Sequence, residues 1–260
     1  MNRFEAGVQT AQSTALRALD WQMFSREDIV NLALQRPEVM QDIRGHAEAV
    51  RAWTRGDEAP MRYIAEQHGD ELIARALGFV FMEYHTLRPL LRRIAPRKIA
   101  DIGAGYGFFA LFAHAEFGAE MTLIDTDQGG ERGFDYRHSS ARLGNLAVAQ
   151  RFLEANGCAS DAVQVFDPLT SDLAALMGLD LVTSFLACGY QFPCDSYRTL
   201  FEEGVVPGGH VILDIRTRHA HEILPGLASL GALHRIGHAA DGQALRMHLV
   251  TRPGIGQNAA

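Results

Sequence analysis

A chain of 260 residues that is 47% hydrophobic and 21% charged has the composition of a globular protein with a full-sized core. Its 31 acidic residues outnumber its 24 lysines and arginines, and a net charge of -7 argues against a nucleic acid as the main partner. No apolar run approaches the ~20 residues that span a bilayer, the first residues lack a signal-peptide layout, and no CxxC motif joins Cys158, Cys188 or Cys194. We therefore expect a cytoplasmic protein without membrane contact, a disulfide framework or a metal site.

Residues 1–95 show the apolar spacing of helices. Ser25 precedes an acidic first turn and predicts a helix start there. Pro37 is expected in the first turn of another helix, whose apolar face comprises Val39, Ile43, Ala47 and Val50. After a loop at 54–60, a long helix is predicted over 71–94, with a kink or break at Pro89. We expect these helices to form a cap or to mediate homodimerisation.

From residue 96 onward, short apolar strands alternate with helices. Strands are predicted at 98–102, 121–125, 162–166, 179–184, 209–215, 231–237 and 244–251, and helices at 108–117 and 145–156. This alternation predicts an α/β, Rossmann-like fold whose seven-stranded, mostly parallel sheet has helices on both faces and a hairpin at one edge. The chain is accordingly divided into a helical N-terminal region (1–95), a catalytic domain (96–253) and a flexible tail (254–260).

A glycine-rich turn, Asp101 to Gly107 (DIGAGYG), lies between the first predicted strand and the next helix. Open α/β sheets bind ligands beyond the carboxyl ends of their strands, at such turns. Phe108 stands where the dinucleotide fingerprint has glycine or alanine, which argues against a nicotinamide cofactor. The second strand ends in Asp125, whose carboxylate can accept hydrogen bonds from both ribose hydroxyls. The pattern predicts a nucleoside ligand.

The segments KIADIGAGYG and MTLIDTD resemble motif I and the following acidic motif of class I S-adenosylmethionine-dependent methyltransferases. Asp167 after the third strand, the segment 180–185 on the fourth, and the Pro207-Gly208-Gly209 turn before the fifth extend the resemblance in the correct order. The resemblance implies that the turn contacts the methionine part of S-adenosyl-L-methionine, that Asp125 binds the ribose, and that Asp167 lies near the adenine. It implies that Asp101 holds the turn or accepts from the cofactor's ammonium. The implied cofactor-binding residues are Asp101, Gly103, Ala104, Gly105, Asp125, Thr126, Asp167, Pro168 and Ser184.

Three regions could contact the methyl acceptor. The insertion 129–144 contains His138, our favoured general base, next to Asp135, Tyr136 and Arg137. Tyr190 follows the fourth strand, and His85 lies on the long helix. For both histidines, an ordinary surface or interface residue is the competing interpretation.

The acceptor class rests on a finer resemblance. The runs HSSARLGNLAVAQRFLEANG, SFLACGYQFPCDSY and VILDIR resemble bacterial methyltransferases that O-methylate sugars or polysaccharides. The expected reaction is therefore methyl transfer to a hydroxyl of a small molecule, with sugars among the candidates.

Two alternatives remain open at this point. The acceptor could be a small amine, which needs no general base when it is neutral. The chain could instead be a non-catalytic, cofactor-binding subunit whose N-terminal helices bind a partner. A nucleic acid base is disfavoured, because no Asn/Asp-Pro-Pro-Tyr motif follows the fourth strand.

Overall fold

A computed structural model describes residues 1–126 and 144–253. The chain divides into two compact units. The first comprises Met1–Pro89, Gly105–Ala115 and Thr126–Ser160, and the second comprises Leu90–Ala104, Glu116–Asp125 and Asp161–Ala260. Among the described residues, no helix combines the length and the apolarity needed to cross a membrane.

The second unit contains a seven-stranded sheet of order β3-β2-β1-β4-β5-β7-β6. Strands β1 to β5 pair in parallel, and β7 runs antiparallel to both β5 and β6. The mostly parallel, Rossmann-like sheet and the terminal hairpin are therefore confirmed. The strands are β1 (Lys98–Ile102), β2 (Glu120–Ile124), β3 (Val163–Phe166), β4 (Leu179–Ser184), β5 (Val205–Arg216), β6 (Gly231–Ala239) and β7 (Ala244–Thr251).

Burial within the sheet follows the position of each strand. In β1 and β2 every residue after the first is buried, as expected for parallel strands covered on both faces. The edge strands β3 and β6 are mostly exposed or half-buried. The core of this unit includes Ala220 and Leu227 of helix α8 (Ala220–Ala228) together with Ile102, Ile124, Val182, Phe201, Val211 and Leu213.

The first unit is helical in its described part. Its helices are α1 (Arg3–Ala11), α2 (Thr14–Arg17), α3 (Arg26–Gln35), α4 (His46–Thr54), α5 (Ala59–Ile94, ending in the second unit), α6 (Phe108–Phe117, likewise) and α7 (Leu146–Ala155). Phe24 packs against Tyr106, Phe108 and Phe152 with ring centroids 5.0–6.1 Å apart. Tyr84 packs against Phe109 and Phe112 of α6. Aromatic burial is thus a main source of cohesion in this unit.

Several predicted boundaries in the helical region were wrong. The predicted helix start at Ser25 is confirmed, since its side chain caps α3 in a capping box with Asp28. The helix predicted from Pro37 is split into a short 3-10 turn, Pro37–Met40, and α4. Helix α5 begins at Ala59 instead of residue 71, because buried Met61, Ile64 and Ala65 extend its apolar face.

Two further differences concern proline and the fifth strand. Helix α5 continues through Pro89, so the alternative of a helix break there was wrong. Pro89 and His85 four residues earlier are both exposed, so water can satisfy the carbonyl that the proline leaves unbonded. Strand β5 starts at Val205, four residues before its predicted start, and includes the Pro-Gly-Gly segment.

Candidate functional site

The glycine turn joins β1 to α6 and needs glycine for conformational reasons. Gly103, Gly105 and Gly107 have φ values of 72°, 56° and 75°, a region that residues with a Cβ rarely adopt. The Gly103 N–H donates to the carbonyl of Ile124 at 2.7 Å. Because Ile102 and Ile124 are paired in the parallel register, Gly103 lies beside Asp125. The start of the glycine turn and Asp125, the residue predicted to bind the ribose, therefore lie together at one edge of the sheet.

Close packing gives Gly103 a second reason to be glycine. A Cβ built on Gly103 would overlap the Cβ of Ala187, which lies in the loop after β4. The N–H of neighbouring Ala104 also points to the Ile124 carbonyl, at 3.3 Å. The first half of the turn is thus held between β2 and the loop that follows β4.

The second half of the turn belongs to the first unit and contacts α3. A Cβ on Gly105 would lie 3.2 Å from the Oε1 atom of Gln35. The Tyr106 hydroxyl donates to Asp28 Oδ1 at 3.3 Å, and Asn145 Nδ2 donates to the same oxygen at 2.9 Å. No motif in the sequence marks Asp28 and Gln35, and their polar character on a mostly buried helix is the available signal.

Asp101 is buried at the end of β1, with an exposed fraction of 3%. The Thr183 hydroxyl donates to Asp101 Oδ1 at 2.7 Å. Burial raises the pKa of the Asp101 carboxyl, the Thr183 hydrogen bond lowers it, and the negative charge of Asp125 raises it, which together bring this pKa to about 7. Asp101 therefore titrates near neutral pH and interacts electrostatically with the carboxylate after β2.

The other two predicted cofactor carboxylates also follow strand ends. Asp125, after β2, is half-buried, and its N–H donates to the Phe166 carbonyl at 3.1 Å. Asp167, after β3, accepts from the Leu169 N–H at 2.9 Å and so shapes the turn that contains half-buried Pro168. Thr126, the first residue after Asp125, is half-buried.

Tyr197, which was not among the predicted site residues, also lies near the carboxylates after β2 and β3. Burial raises the pKa of the Tyr197 hydroxyl, and the neighbouring Cys188, Asp125 and Asp167 side chains raise it further. The hydroxyl thus stays protonated and lies within electrostatic range of both carboxylates. No motif marks Tyr197 in the sequence, because it reaches this edge from a short 3-10 turn at Cys194–Tyr197.

Ser184, the last residue of β4, is fully buried and ties this strand to its surroundings. Its hydroxyl donates to the Ile102 carbonyl at 2.9 Å and accepts from the Cys188 N–H at 2.9 Å. Leu186, two residues later, has a φ of 57°, which is strained for leucine. The chain therefore turns sharply after β4, within the predicted acceptor-side segment.

Phe185 lies beside a buried ion pair. The Arg246 guanidinium covers the Phe185 ring, with Cζ 4.9 Å from the ring centroid. Arg246 donates two hydrogen bonds of 2.7 Å to Asp214, whose exposed fraction is 0%. The pairing crosses from β5 to β7, where Asp214 and Arg246 are direct partners in register. A bidentate pair of this kind fixes both side chains.

Tyr190, one of the predicted catalytic residues, is half-buried in the loop after β4. The Arg216 guanidinium stacks on its ring with Cζ 4.0 Å from the centroid, and Arg216 Nε donates to the Tyr190 carbonyl at 2.9 Å. The Tyr190 hydroxyl lies 3.4 Å from Gln243 Oε1. Tyr190 is thus held in place at the carboxyl end of β5.

The structure does not test the roles of the remaining predicted catalytic residues. His85 is exposed on α5, with its ring 6.1 Å from that of Phe81 in the first unit. His138, with Asp135, Tyr136 and Arg137, lies outside the described residues. Their proposed roles stay predictions.

The cysteines after β4 form a reduced pair. The Sγ atoms of Cys188 and Cys194 are 3.7 Å apart, and the hydrogen bond with Cys194 together with burial raises the pKa of the Cys188 thiol. A thiol with a raised pKa is a poor nucleophile. Among residues 1–126 and 144–253, no group of three or more His, Cys, Asp or Glu side chains is arranged to hold a metal ion.

Comparisons with known proteins give no family assignment. No family model matches the chain, and no curated protein matches it. Solved structures do match its backbone. The O-methyltransferase TomG from Streptomyces achromogenes, involved in tomaymycin synthesis and solved in complex with SAM, is 15% identical, with 65% of this chain and 79% of that chain covered and a TM-score of 0.47.

Two other solved structures give similar values. The methyltransferase domain of bacterial CtHen1-C is 15% identical, with 66% of this chain and 97% of that chain covered and a TM-score of 0.46. A protein from Nostoc punctiforme, provisionally designated an O-methyltransferase, is 12% identical, with 86% of this chain and 72% of that chain covered and a TM-score of 0.48. At these identities and TM-scores the likenesses establish neither family nor activity for this chain.

Proposed function

We propose that the protein is an S-adenosylmethionine-dependent methyltransferase that methylates a hydroxyl of a small molecule. One observation carries the proposal: a glycine turn with three positive φ values leaves β1 beside half-buried Asp125 at the end of the neighbouring parallel strand. This is the edge at which open α/β sheets bind nucleosides.

The residues present fit the cofactor. The carboxylate of Asp125 can accept both ribose hydroxyls, and Asp167 and Pro168 follow the adjacent strand, where the adenine is expected. Asp101, with a pKa of about 7, can become a negative partner for the cofactor's ammonium when it is ionised. Gly103, Ala104 and Gly105 would contact the methionine part, and Thr126 and Ser184 complete the proposed set.

The bound cofactor would supply an electrophilic methyl group on a sulfonium. The task of the chain is then to orient the acceptor and to accept its proton. Phe185 and Tyr190 are our candidates for the first task, because a guanidinium contacts each ring and both residues follow β4. The proposed base is His138, with His85 as a second candidate.

A sugar hydroxyl is the acceptor that the sequence resemblance favours. Transfer to a small amine and a non-catalytic, cofactor-binding role remain the alternative proposals. Assays with methyl-labelled cofactor on matched sugars and amines separate these three proposals. Sugar methylation predicts label on sugars, amine methylation predicts label on amines, and a non-catalytic role predicts no transfer.

Calorimetry with S-adenosylhomocysteine, the demethylated product, tests the proposal itself. We expect saturable binding with one site per chain. An absence of binding at millimolar ligand, with a folded protein, would overturn it.

A further inference from the structure

Helix α3 presents a polar face to the second half of the glycine turn. Asp28, Asn31 and Gln35 are spaced by three and four residues, so they share one side of the helix. Asp28 is bonded to the hydroxyl of Tyr106, and Gln35 lies next to Gly105. The polar face therefore runs along the turn from Tyr106 to Gly105, and all of these residues belong to the first unit.

Asn31, between the two contacts, is an unusual residue for a helix interior. Its exposed fraction is 0%, and neither Oδ1 nor Nδ2 has a hydrogen-bond partner among the described residues. Buried side-chain amides are nearly always bonded, because an unbonded one costs about 1–3 kcal/mol. An apolar residue would pack there at no such cost, so simple core packing does not explain this face.

Gln35, at the end of the face, differs from Asn31 in being exposed. Its Oε1 lies 3.2 Å, and its Nε2 4.0 Å, from the position that a Cβ on Gly105 would occupy. Its amide makes no hydrogen bond with the residues that the structure describes. The amide therefore stands over the turn with donor and acceptor groups available to a ligand.

We propose that Gln35 binds the amino-acid end of the cofactor by donating an Nε2–H hydrogen bond to its carboxylate. The inference rests on the proposed function. The turn at Gly105–Gly107 leads directly into the ten-residue helix α6, and a helix N-terminus attracts an anion. A neutral amide suits this position, since it donates to the carboxylate without adding charge.

The inference also explains why residue 105 has no side chain. A Cβ at Gly105 would lie against the Gln35 amide, closer than nearly all ordinary Cβ contacts, and would displace it. Gly105 thus keeps space for Gln35, as Gly103 keeps space for Ala187.

The test compares two ligands that differ only at the amino-acid end. S-adenosylhomocysteine carries the carboxylate, whereas 5′-methylthioadenosine has the same nucleoside and lacks the amino acid. Dissociation constants are measured by calorimetry, or by chemical-shift titration for the weaker ligand, on wild type, Gln35→Ala and Gln35→Glu. Gln67→Ala, an exposed glutamine of the same unit, is the matched control.

We expect Gln35→Ala to weaken S-adenosylhomocysteine binding by about tenfold or more and to change 5′-methylthioadenosine binding less than about twofold. Gln35→Glu should weaken the first ligand more than Gln35→Ala does, because two carboxylates would then face each other. Gln67→Ala should leave both dissociation constants unchanged.

Three results would overturn the inference. Unchanged binding in Gln35→Ala removes the contact, and equal losses for both ligands show a structural role only. Wild-type affinity in Gln35→Glu excludes donation to the carboxylate. If wild type binds neither ligand, the proposed function itself fails and the inference falls with it, whereas failure of the inference alone leaves wild-type binding intact.

Discussion

The carboxyl edge of the sheet has two halves that use charge differently. The half that we propose binds the nucleoside, called the nucleoside half, has Asp101, Asp125 and Asp167 directly beyond β1, β2 and β3, and two of these carboxylates are half-buried. The half after β4 and β5, which we propose faces the methyl acceptor, is called the acceptor half. The acceptor half pairs its main charges with each other, as in the buried bond between Asp214 and Arg246. The carboxylates of the first half thus lie directly beyond strand ends, whereas guanidinium groups of the second half fix aromatic rings.

Breaking the ion pair of the acceptor half should have the largest effect. Arg246→Met removes the guanidinium that donates two hydrogen bonds to the buried Asp214 carboxylate, which should lower the free energy of unfolding by about 3–5 kcal/mol. Chemical denaturation measures this change. Arg198→Met is the control, because the Arg198–Glu202 pair is about 40% exposed and should contribute about 1 kcal/mol or less. Equal losses in the two variants would show that the buried pair is not special.

Substitution of Gly103, which contacts Ala187 between the two halves, should cause the next largest loss of stability. Gly103→Ala combines an overlap with Ala187 and a positive φ, for an expected loss of about 2–4 kcal/mol. Gly178 has a similar φ of 75° but open space around its Cβ position, so Gly178→Ala measures the conformational cost alone. Adding Ala187→Gly should recover part of the Gly103→Ala loss in thermal melts. No recovery would contradict the packing explanation.

Asp125 tests the nucleoside half through binding. Asp125→Ala should weaken S-adenosylhomocysteine binding by about 1–3 kcal/mol, because the carboxylate that we propose accepts both ribose hydroxyls is lost. Calorimetry measures it, with exposed Asp161→Ala as the control. Unchanged affinity in Asp125→Ala would remove this residue from the ribose role.

Asp101 predicts a pH-dependent effect that is smaller when it is measured over a single pH unit. Because its pKa is raised from 3.8 to about 7 on folding, the unfolded chain loses this proton at lower pH than the folded protein does. Its contribution to stability is therefore complete below about pH 4 and is lost as the pH rises to 7, at about 1 kcal/mol between pH 6 and 7. Denaturation of wild type and Asp101→Asn across this range should give curves that converge toward low pH. Parallel curves would show an ordinary carboxyl pKa.

The two halves also differ in how far the sequence predicts them. Each strand of the nucleoside half is short and ends at a turn, so the sequence predicts the strand ends and the residues beyond them, such as Asp125 and Asp167. The side-chain contacts of the acceptor half cannot be predicted in this way, because Asp214 meets Arg246 only through the register of β5 with β7. The same holds for Asp28 and Tyr106, which lie 78 residues apart. The predicted helix break at Pro89 was wrong because helix propensity alone does not show that Pro89 and His85 are both exposed to solvent.

A crystal structure of the complex with S-adenosylhomocysteine tests the central claim most directly. The proposed function predicts that both ribose hydroxyls lie within hydrogen-bond distance of the Asp125 carboxylate, with the amino-acid end of the ligand at the Gly103–Gly107 turn. A ribose bound elsewhere, or a ligand that leaves this turn uncovered, would contradict it.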